Sequence, residues 1–180
     1  LAPLAHARHA EEVRVRFPLA GVGAGCELVR SALHGLVARR LHEGGPARLV
    51  DRDAEKGRQS PRLGVEATYY DPLLGAAIER EFRSNTRIVF TESPGSLTFC
   101  VQDIPAIAAA AHRHGALVVT DNSWATPFGF RSFDHGVDVS VHSVTKYIGG
   151  HSDVLLGLVL ATEATFPMLQ RFWKDVGVTP

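Results

Sequence analysis

The chain has 180 residues, and its 19 basic side chains balance 19 acidic ones. This length fits one domain with a sizeable core, and the charge balance gives no electrostatic basis for binding nucleic acid or an anionic membrane. The two cysteines, Cys26 and Cys100, are too few for a disulfide framework, and no apolar run or leader predicts a membrane span or signal peptide. These features predict a soluble α/β protein of a reducing, cytoplasmic compartment.

The first third of the chain differs from the rest. Residues 1–62 hold ten of the sixteen arginines but only one of the fourteen aromatic residues, Phe17. Within them, CELVRSALHGLVARRL predicts a helix and ARLVD predicts a short strand. We expect residues 1–62 to form either a docked subdomain or a poorly packed segment, two alternatives that the sequence leaves open. Residues 63–180 are expected to form the better-defined core.

The second part of the chain alternates predicted strands with a helix. TRIVFTESP predicts a buried strand, and VQDIPAIAAAAHRHG predicts a helix that Asp103 caps and Gly115 ends. ALVVTDN then predicts an apolar strand that ends at Asp121. VDVSVHSVTK predicts a half-buried strand that leads to Lys146, and VLLGLVLAT predicts one more strand. This order predicts a mostly parallel α/β sheet with flanking helices.

Polar residues follow the predicted strand ends, where ligands gather in open α/β sheets. They are Ser96, Asp121, Ser143, Thr145 and Lys146. Taken singly, each is more often a turn residue, a helix cap or a solvated charge. Together they match the groups that pyridoxal phosphate requires, because a partly desolvated lysine condenses with an aldehyde, hydroxyls bind phosphate and a carboxylate keeps a pyridine nitrogen protonated.

The motifs resemble the cysteine/methionine-metabolism family of pyridoxal-phosphate enzymes, which has the aspartate-aminotransferase-like fold. Four stretches carry the resemblance: GVEATYYDP, TESPGSLTF, VVTDNSWATPFGF and FDHGVDVSVHSVTKYIGGHSD. The similarity is nearly continuous from about Leu63 to the end, and it implies a partial large domain of that fold. ESPGS and the tryptophan of DNSW favour the β-lyase branch over the γ-synthase and γ-lyase branches.

The resemblance implies a role for each site residue. Lys146 is implied to bind pyridoxal 5′-phosphate and to move protons between substrate carbons, and Asp121 to pair with the pyridine nitrogen. Ser143 and Thr145 are implied to bind the phosphate, and Ser96 to contact the ring hydroxyl. The implied reaction is a carbon–sulfur β-elimination of trans-sulfuration and methionine biosynthesis, in which cystathionine gives homocysteine, pyruvate and ammonia. The intact family forms homotetramers.

Several positions depart from the family pattern. Ser31 keeps the serine of a phosphate loop, but Ala32 replaces the following glycine, and we expect its methyl group to crowd a backbone amide that the phosphate needs. No tyrosine precedes Tyr69, so the tyrosine that stacks on the cofactor ring is missing, and Cys100 replaces a usual acidic residue. We therefore expect a truncated or degraded copy, with residues 1–62 a degraded part of the cofactor domain and the small C-terminal domain absent. The 180 residues alone are expected to bind the cofactor weakly and to cleave no measurable cystathionine.

Three other functions stay open at this point. The chain is alternatively a non-catalytic remnant, or another family member such as a cystathionine γ-synthase, γ-lyase or O-acylhomoserine sulfhydrylase. A nucleotide site in VRVRFPLAGVGAGC matches its pattern only in part, because Cys26 occupies the third glycine position. We predict no metal site, since His112 and His114 point to different helix faces and suit helix C-terminal cations, and we interpret His151 as a structural hydrogen-bonding residue.

Overall fold

The computed structural model describes residues 48–51, 66–95 and 99–175. The expectations for Ser31, for the helix in residues 26–41, for the glycine loop and for Ser96 lie outside the described residues. Within the described residues, no helix combines the length and the apolar character needed to cross a membrane.

A six-stranded sheet forms the centre of the described chain. Its strands are Arg48–Asp51 (β1), Glu66–Tyr69 (β2), Thr86–Glu92 (β3), Leu117–Asp121 (β4), Val139–Ser143 (β5) and Gly157–Ala161 (β6). They lie in the order β2-β1-β3-β4-β5-β6, and every neighbouring pair is parallel except β5 and β6, which run antiparallel. The mostly parallel sheet that the sequence predicts is confirmed.

Helices cover both faces of this sheet. The α-helices are Ile104–Arg113 (α1), Thr126–Gly129 (α2) and Phe166–Asp175 (α3), and shorter turns of 3-10 helix lie at Gly75–Glu81 and Ser132–His135. Because side chains alternate along a strand, Val118 of β4 packs in a core cluster with Ile107 of α1, whereas Val119 packs in another with Leu169 of α3. Two apolar layers thus hold the parallel strands between helices.

The predicted cap of α1 is confirmed. Asp103 precedes the helix, and its Oδ1 accepts a hydrogen bond of 3.1 Å from the backbone N–H of Ala106. The helix ends before Gly115, which adopts a left-handed φ of 68° that a side chain would disfavour.

Replacing Asp103 by alanine removes this cap. We expect Asp103→Ala to lower the free energy of unfolding by about 1 kcal/mol, because a helix N–H loses its partner. The matched control is Asp134→Ala, which removes the same charge from an exposed pair with Arg131 and should cost less than about 0.5 kcal/mol. Urea denaturation of both variants measures the difference, and equal losses would contradict the capping role.

The expectation of a half-buried β5 is wrong. Val139, Ser140, Val141 and His142 are all only 1% exposed. The strand lies between β4 and β6, and both of its faces are covered, so Ser140 and His142 are buried together with its valines. The last strand also begins later than its apolar run suggests, since Val154 and Leu155 are exposed and β6 starts at Gly157.

Candidate active site

The ends of β4 and β5 lie side by side. Asp121 is the last residue of β4 and is aligned with Val141 in the parallel β5, whose last residue is Ser143. The carboxyl ends of parallel strands share one edge of a sheet, so the structure brings the predicted carboxylate and the predicted phosphate hydroxyl to the same edge.

Ser123 links these two residues. Its backbone N–H donates to Asp121 Oδ1 at 3.0 Å, and its Oγ accepts from the backbone N–H of Ser143 at 2.6 Å. Ser123 is only 8% exposed, so solvent competes little for these bonds. The turn after β4 therefore orients the Asp121 carboxylate and fixes the end of β5 at the same time.

The glycine pair after Lys146 closes a tight turn. Residues Thr145–Gly149 form one turn of π-helix, in which the Gly149 N–H donates to Val144 O at 2.7 Å. A Cβ atom on Gly149 would lie 2.8 Å from Val154 Cγ1 and 3.1 Å from Val144 O, so the position has no room for a side chain. Gly150 has a φ of 75°, which favours glycine. Both glycines are thus needed to bring the chain back toward β6.

Thr145 ties the start of this turn to the segment before β6. Its Oγ1 accepts from the backbone N–H of Leu156 at 2.9 Å, and its backbone N–H donates to Leu156 O at 3.2 Å. The contact from the Thr145 hydroxyl to Leu156 O is long, at 3.4 Å, so its proton is only weakly engaged. Thr145 therefore has a structural role and keeps a donor that can turn toward another acceptor.

Lys146 lies on the surface of this turn. Its side chain is exposed, and within the described part of the chain its ammonium group makes no ion pair. The expectation that Lys146 is partly desolvated is wrong here, because the π-helical turn lies beyond the buried strand rather than under a neighbouring element. The amine is accordingly accessible to a ligand.

The donor set at this edge fits pyridoxal phosphate. Lys146 offers an accessible amine for the aldehyde, and Asp121 offers a carboxylate held by Ser123. Ser143 Oγ makes no hydrogen bond within the described residues, so it is available to a phosphate together with the hydroxyl proton of Thr145. Amine, carboxylate and hydroxyls are the three kinds of group that this cofactor needs from a protein.

A buried polar chain lies behind the site, and sequence reasoning missed it. Asn122 Nδ2 donates to Ser132 Oγ at 3.1 Å, Ser132 Oγ lies 3.2 Å from Ser140 Oγ, and Ser140 Oγ lies 3.0 Å from His142 Nε2. We call these four residues the serine–histidine chain. The signal in the sequence was the pair of polar residues at alternate positions of a valine-rich strand, which places both on one face.

Burial lowers the pKa of His142 from its ordinary value of 6.5, while the Asp121 charge and a backbone group of Asn122 act in the opposite direction. The unfolded chain therefore binds a proton more readily than the folded chain, so the free energy of unfolding should fall as the pH drops below about 6.5. For this single group, the free energy of unfolding changes by at most about 1.4 kcal/mol per pH unit.

Replacing His142 by glutamine tests this pH dependence, because an amide does not ionise. Urea denaturation between about pH 7.5 and pH 5.5 should show a smaller loss of stability for His142→Gln than for the wild-type chain. The same loss in both proteins would contradict the assignment of the slope to His142.

Two further histidines of the described residues, His112 and His151, have structural partners. His112 Nε2 lies 2.9 Å from Asp138 Oδ2, which also accepts from the backbone N–H of Val118. His151 Nδ1 lies 2.6 Å from Gly149 O, which supports its interpretation as a structural residue. Over the part of the chain that the structure describes, no group of three or more His, Cys, Asp or Glu side chains could hold a metal ion.

Comparisons with known proteins place these features in one family. The family model described as Cys/Met metabolism PLP-dependent enzyme matches residues 28–180. The chain is 66% identical over 117 residues to a protein of Rhizobium johnstonii named "Putative cystathionine beta-lyase", which is 65% of this chain and 30% of that protein. It is also 43% identical over 119 residues to an L-alanine/L-glutamate racemase of Wolbachia pipientis, and this alignment covers 66% of this chain and 29% of the racemase.

A solved structure shows the same fold. The crystal structure of a cystathione gamma lyase from Micromonospora echinospora matches with a TM-score of 0.73 and 26% identity, over 87% of this chain and 42% of that one. The chain thus spans about 30% of the length of the curated relatives described above.

Proposed function

Because the chain belongs to the Cys/Met metabolism family of pyridoxal-phosphate-dependent enzymes, we propose that it carries the cofactor site of a carbon–sulfur β-lyase that acts on cystathionine. The observation that carries the proposal is the accessible Lys146 amine, which lies three residues after Ser143 in the turn that follows β5, at the end of the sheet where β4 ends in Asp121. The identity of 66% to a relative named as a β-lyase supports this branch of the family.

Pyridoxal phosphate, when bound, supplies an aldehyde that condenses with amines and a pyridine ring that takes up the electron pair left at a substrate α-carbon. Lys146 binds the aldehyde carbon and, as a free amine, takes the proton from the substrate α-carbon. Asp121 keeps a proton on the pyridine nitrogen, because a carboxylate beside the nitrogen favours its charged form. Ser123 holds that carboxylate in place through its backbone N–H.

The phosphate is proposed to bind at the end of β5. Two donors would bind it there: the Ser143 hydroxyl and the proton of the Thr145 hydroxyl. Because Thr145 lies in the same turn as Lys146, one short segment would bind both the phosphate and the aldehyde of the cofactor. Ser96 and Ser31 are proposed as further contacts, to the ring hydroxyl and the phosphate respectively. Both proposals rest on motif similarity.

The proposed reaction breaks the bond between the β-carbon and sulfur of cystathionine, and water then hydrolyses the three-carbon product, so cystathionine and one water give homocysteine, pyruvate and ammonia. Loss of the α-proton leaves an electron pair that expels the sulfur, and a proton returned by Lys146 completes the thiol. A place in trans-sulfuration and methionine biosynthesis, a cytoplasmic location and a homo-oligomeric assembly belong to the same proposal. So does the division into a part at residues 1–62 and a cofactor-binding core at 63–180.

A second candidate is amino-acid racemisation, which the identity of 43% to a racemase favours. A racemase needs the same α-proton transfer but returns the proton to the α-carbon instead of expelling sulfur. The two reactions therefore share Lys146 and Asp121 and differ in the fate of the electron pair.

The experiment incubates the purified chain with pyridoxal phosphate and L-cystathionine or L-alanine in deuterium oxide. Deuterium at the α-carbon that depends on Lys146 reports the shared proton transfer. Pyruvate from cystathionine supports β-elimination, 2-oxobutyrate indicates γ-elimination, and D-alanine indicates racemisation.

The expectation that these 180 residues release no measurable pyruvate stays a prediction, and pyruvate that Lys146→Ala abolishes would contradict it. Absence of α-exchange together with absence of cofactor binding would contradict the proposed function.

A further inference from the structure

The serine–histidine chain connects the residues next to the two proposed cofactor groups. Asn122 follows Asp121 directly, and His142 precedes Ser143 directly. Because side chains alternate along a strand, His142 and Ser143 point to opposite faces of β5. The serine–histidine chain therefore lies on the face of β5 opposite to the Ser143 side chain.

The direction of the hydrogen bonds in this chain follows from Asn122. Its Nδ2 lies 3.2 Å from Thr126 O and 2.9 Å from Phe130 O, so the amide must present its nitrogen to these two carbonyls. The opposite orientation would place an amide oxygen against two carbonyl oxygens, which repel it. The nitrogen also lies 3.1 Å from Ser132 Oγ, which it can reach only as a donor.

The other hydrogen bonds of the serine–histidine chain then have a preferred direction of donation. Ser132 accepts from Asn122 and passes its own proton to Ser140, and Ser140 passes its proton to His142 Nε2. The reverse order would leave the Ser132 proton without an acceptor among the described residues. In the preferred order His142 is a neutral ring with its proton on Nδ1, and burial, which disfavours the charged ring, acts in the same direction.

We propose that His142 is a positioning residue: by accepting the Ser140 proton, its neutral ring keeps Ser140 bonded to Ser132 and Ser132 bonded to Asn122 of the turn after β4, and this chain of bonds sets Ser143 relative to Asp121. The cofactor role of those two residues rests on the proposed function.

The serine–histidine chain is buried, so losing one of its hydrogen bonds should be costly. Ser140 and His142 are 1% exposed, Asn122 is 2% exposed and Ser132 is 4% exposed, so water cannot replace a lost partner at low cost. His142 Nδ1 makes no hydrogen bond of normal geometry within the described residues. Within the described residues, the contact with Ser140 is therefore the hydrogen bond of normal geometry that the His142 ring makes.

The test compares three variants by the concentration of pyridoxal phosphate that gives half-maximal borohydride-fixed label on Lys146. His142→Gln can still accept from Ser140 through its amide oxygen, so we expect an affinity within about twofold of the wild-type chain. His142→Leu leaves the Ser140 proton unsatisfied, and we expect affinity to fall by about tenfold or more. Thr86→Val, which removes a buried hydroxyl at the opposite end of the sheet, should leave affinity unchanged.

A second measurement does not depend on the cofactor. Nitrogen-15 chemical shifts of the wild-type imidazoles at about pH 7 should show His142 as a neutral ring with the proton on Nδ1. Circular dichroism verifies that each variant is folded.

Three results would overturn the positioning role: a proton on Nε2, an affinity of His142→Leu equal to that of His142→Gln, or equal losses in His142→Leu and Thr86→Val. If the wild-type chain took no label on Lys146, the proposed function would fall together with the positioning role. A wrong tautomer with normal labelling would overturn the positioning role alone.

Discussion

Replacing Lys146 by arginine is expected to abolish both the fixation of pyridoxal phosphate to the chain and the exchange of substrate α-protons. Arginine keeps the positive charge at an exposed position, so folding should be preserved. Its guanidinium does not lose a proton at accessible pH, and it therefore offers neither a nucleophilic amine nor a base. Label incorporation after borohydride reduction and deuterium uptake at the α-carbon measure the two losses.

The control for this change is Lys174→Arg in α3, since Lys174 is also exposed. Labelling and exchange should be the same in Lys174→Arg as in the wild-type chain. Exchange that survives in Lys146→Arg at more than about one-hundredth of the wild-type rate would show that another group takes the α-proton.

Replacing Asp121 by asparagine should slow α-proton exchange on the order of a hundredfold while weakening cofactor binding much less. Asparagine retains an oxygen for the hydrogen bond from the Ser123 N–H, so the geometry of the turn is kept. The change removes the negative charge that keeps the pyridine nitrogen protonated. Single-turnover exchange at saturating cofactor separates the rate from the binding.

Asp103→Asn is the matched control, because asparagine caps helices about as well as aspartate and Asp103 lies at the start of α1. It makes the same chemical change and should leave exchange unaffected. Equal losses of binding and exchange in Asp121→Asn would mean that Asp121 acts only in the structure of the turn.

The sequence predicts those parts of the fold whose signals are local. The cap at Asp103, the stop at Gly115 and the end of β4 at Asp121 depend on neighbouring residues and on apolar runs, and the structure confirms them. The glycine pair after Lys146 has two explanations: a Cβ atom on Gly149 would clash with Val154 Cγ1, and Gly150 has a left-handed φ.

The features that the sequence does not predict depend on tertiary neighbours. The burial of both faces of β5 follows from its place between β4 and β6, and periodicity within the strand cannot reveal that position. The serine–histidine chain joins Asn122 after β4, Ser132 of a 3-10 turn, and Ser140 and His142 of β5, so no single element contains it. The exposure of Lys146 likewise depends on the π-helical turn rather than on the buried strand before it.

The most direct test of the central claim is a peptide map of the wild-type chain after incubation with pyridoxal phosphate and reduction with borohydride. The chain has three lysines, Lys56, Lys146 and Lys174, so the map distinguishes every candidate side chain. We expect one dominant label on the peptide that contains Lys146, together with its loss in Lys146→Arg. A label distributed over the three lysines, or concentrated on Lys56 or Lys174, would contradict the assignment of the cofactor site to the end of β5.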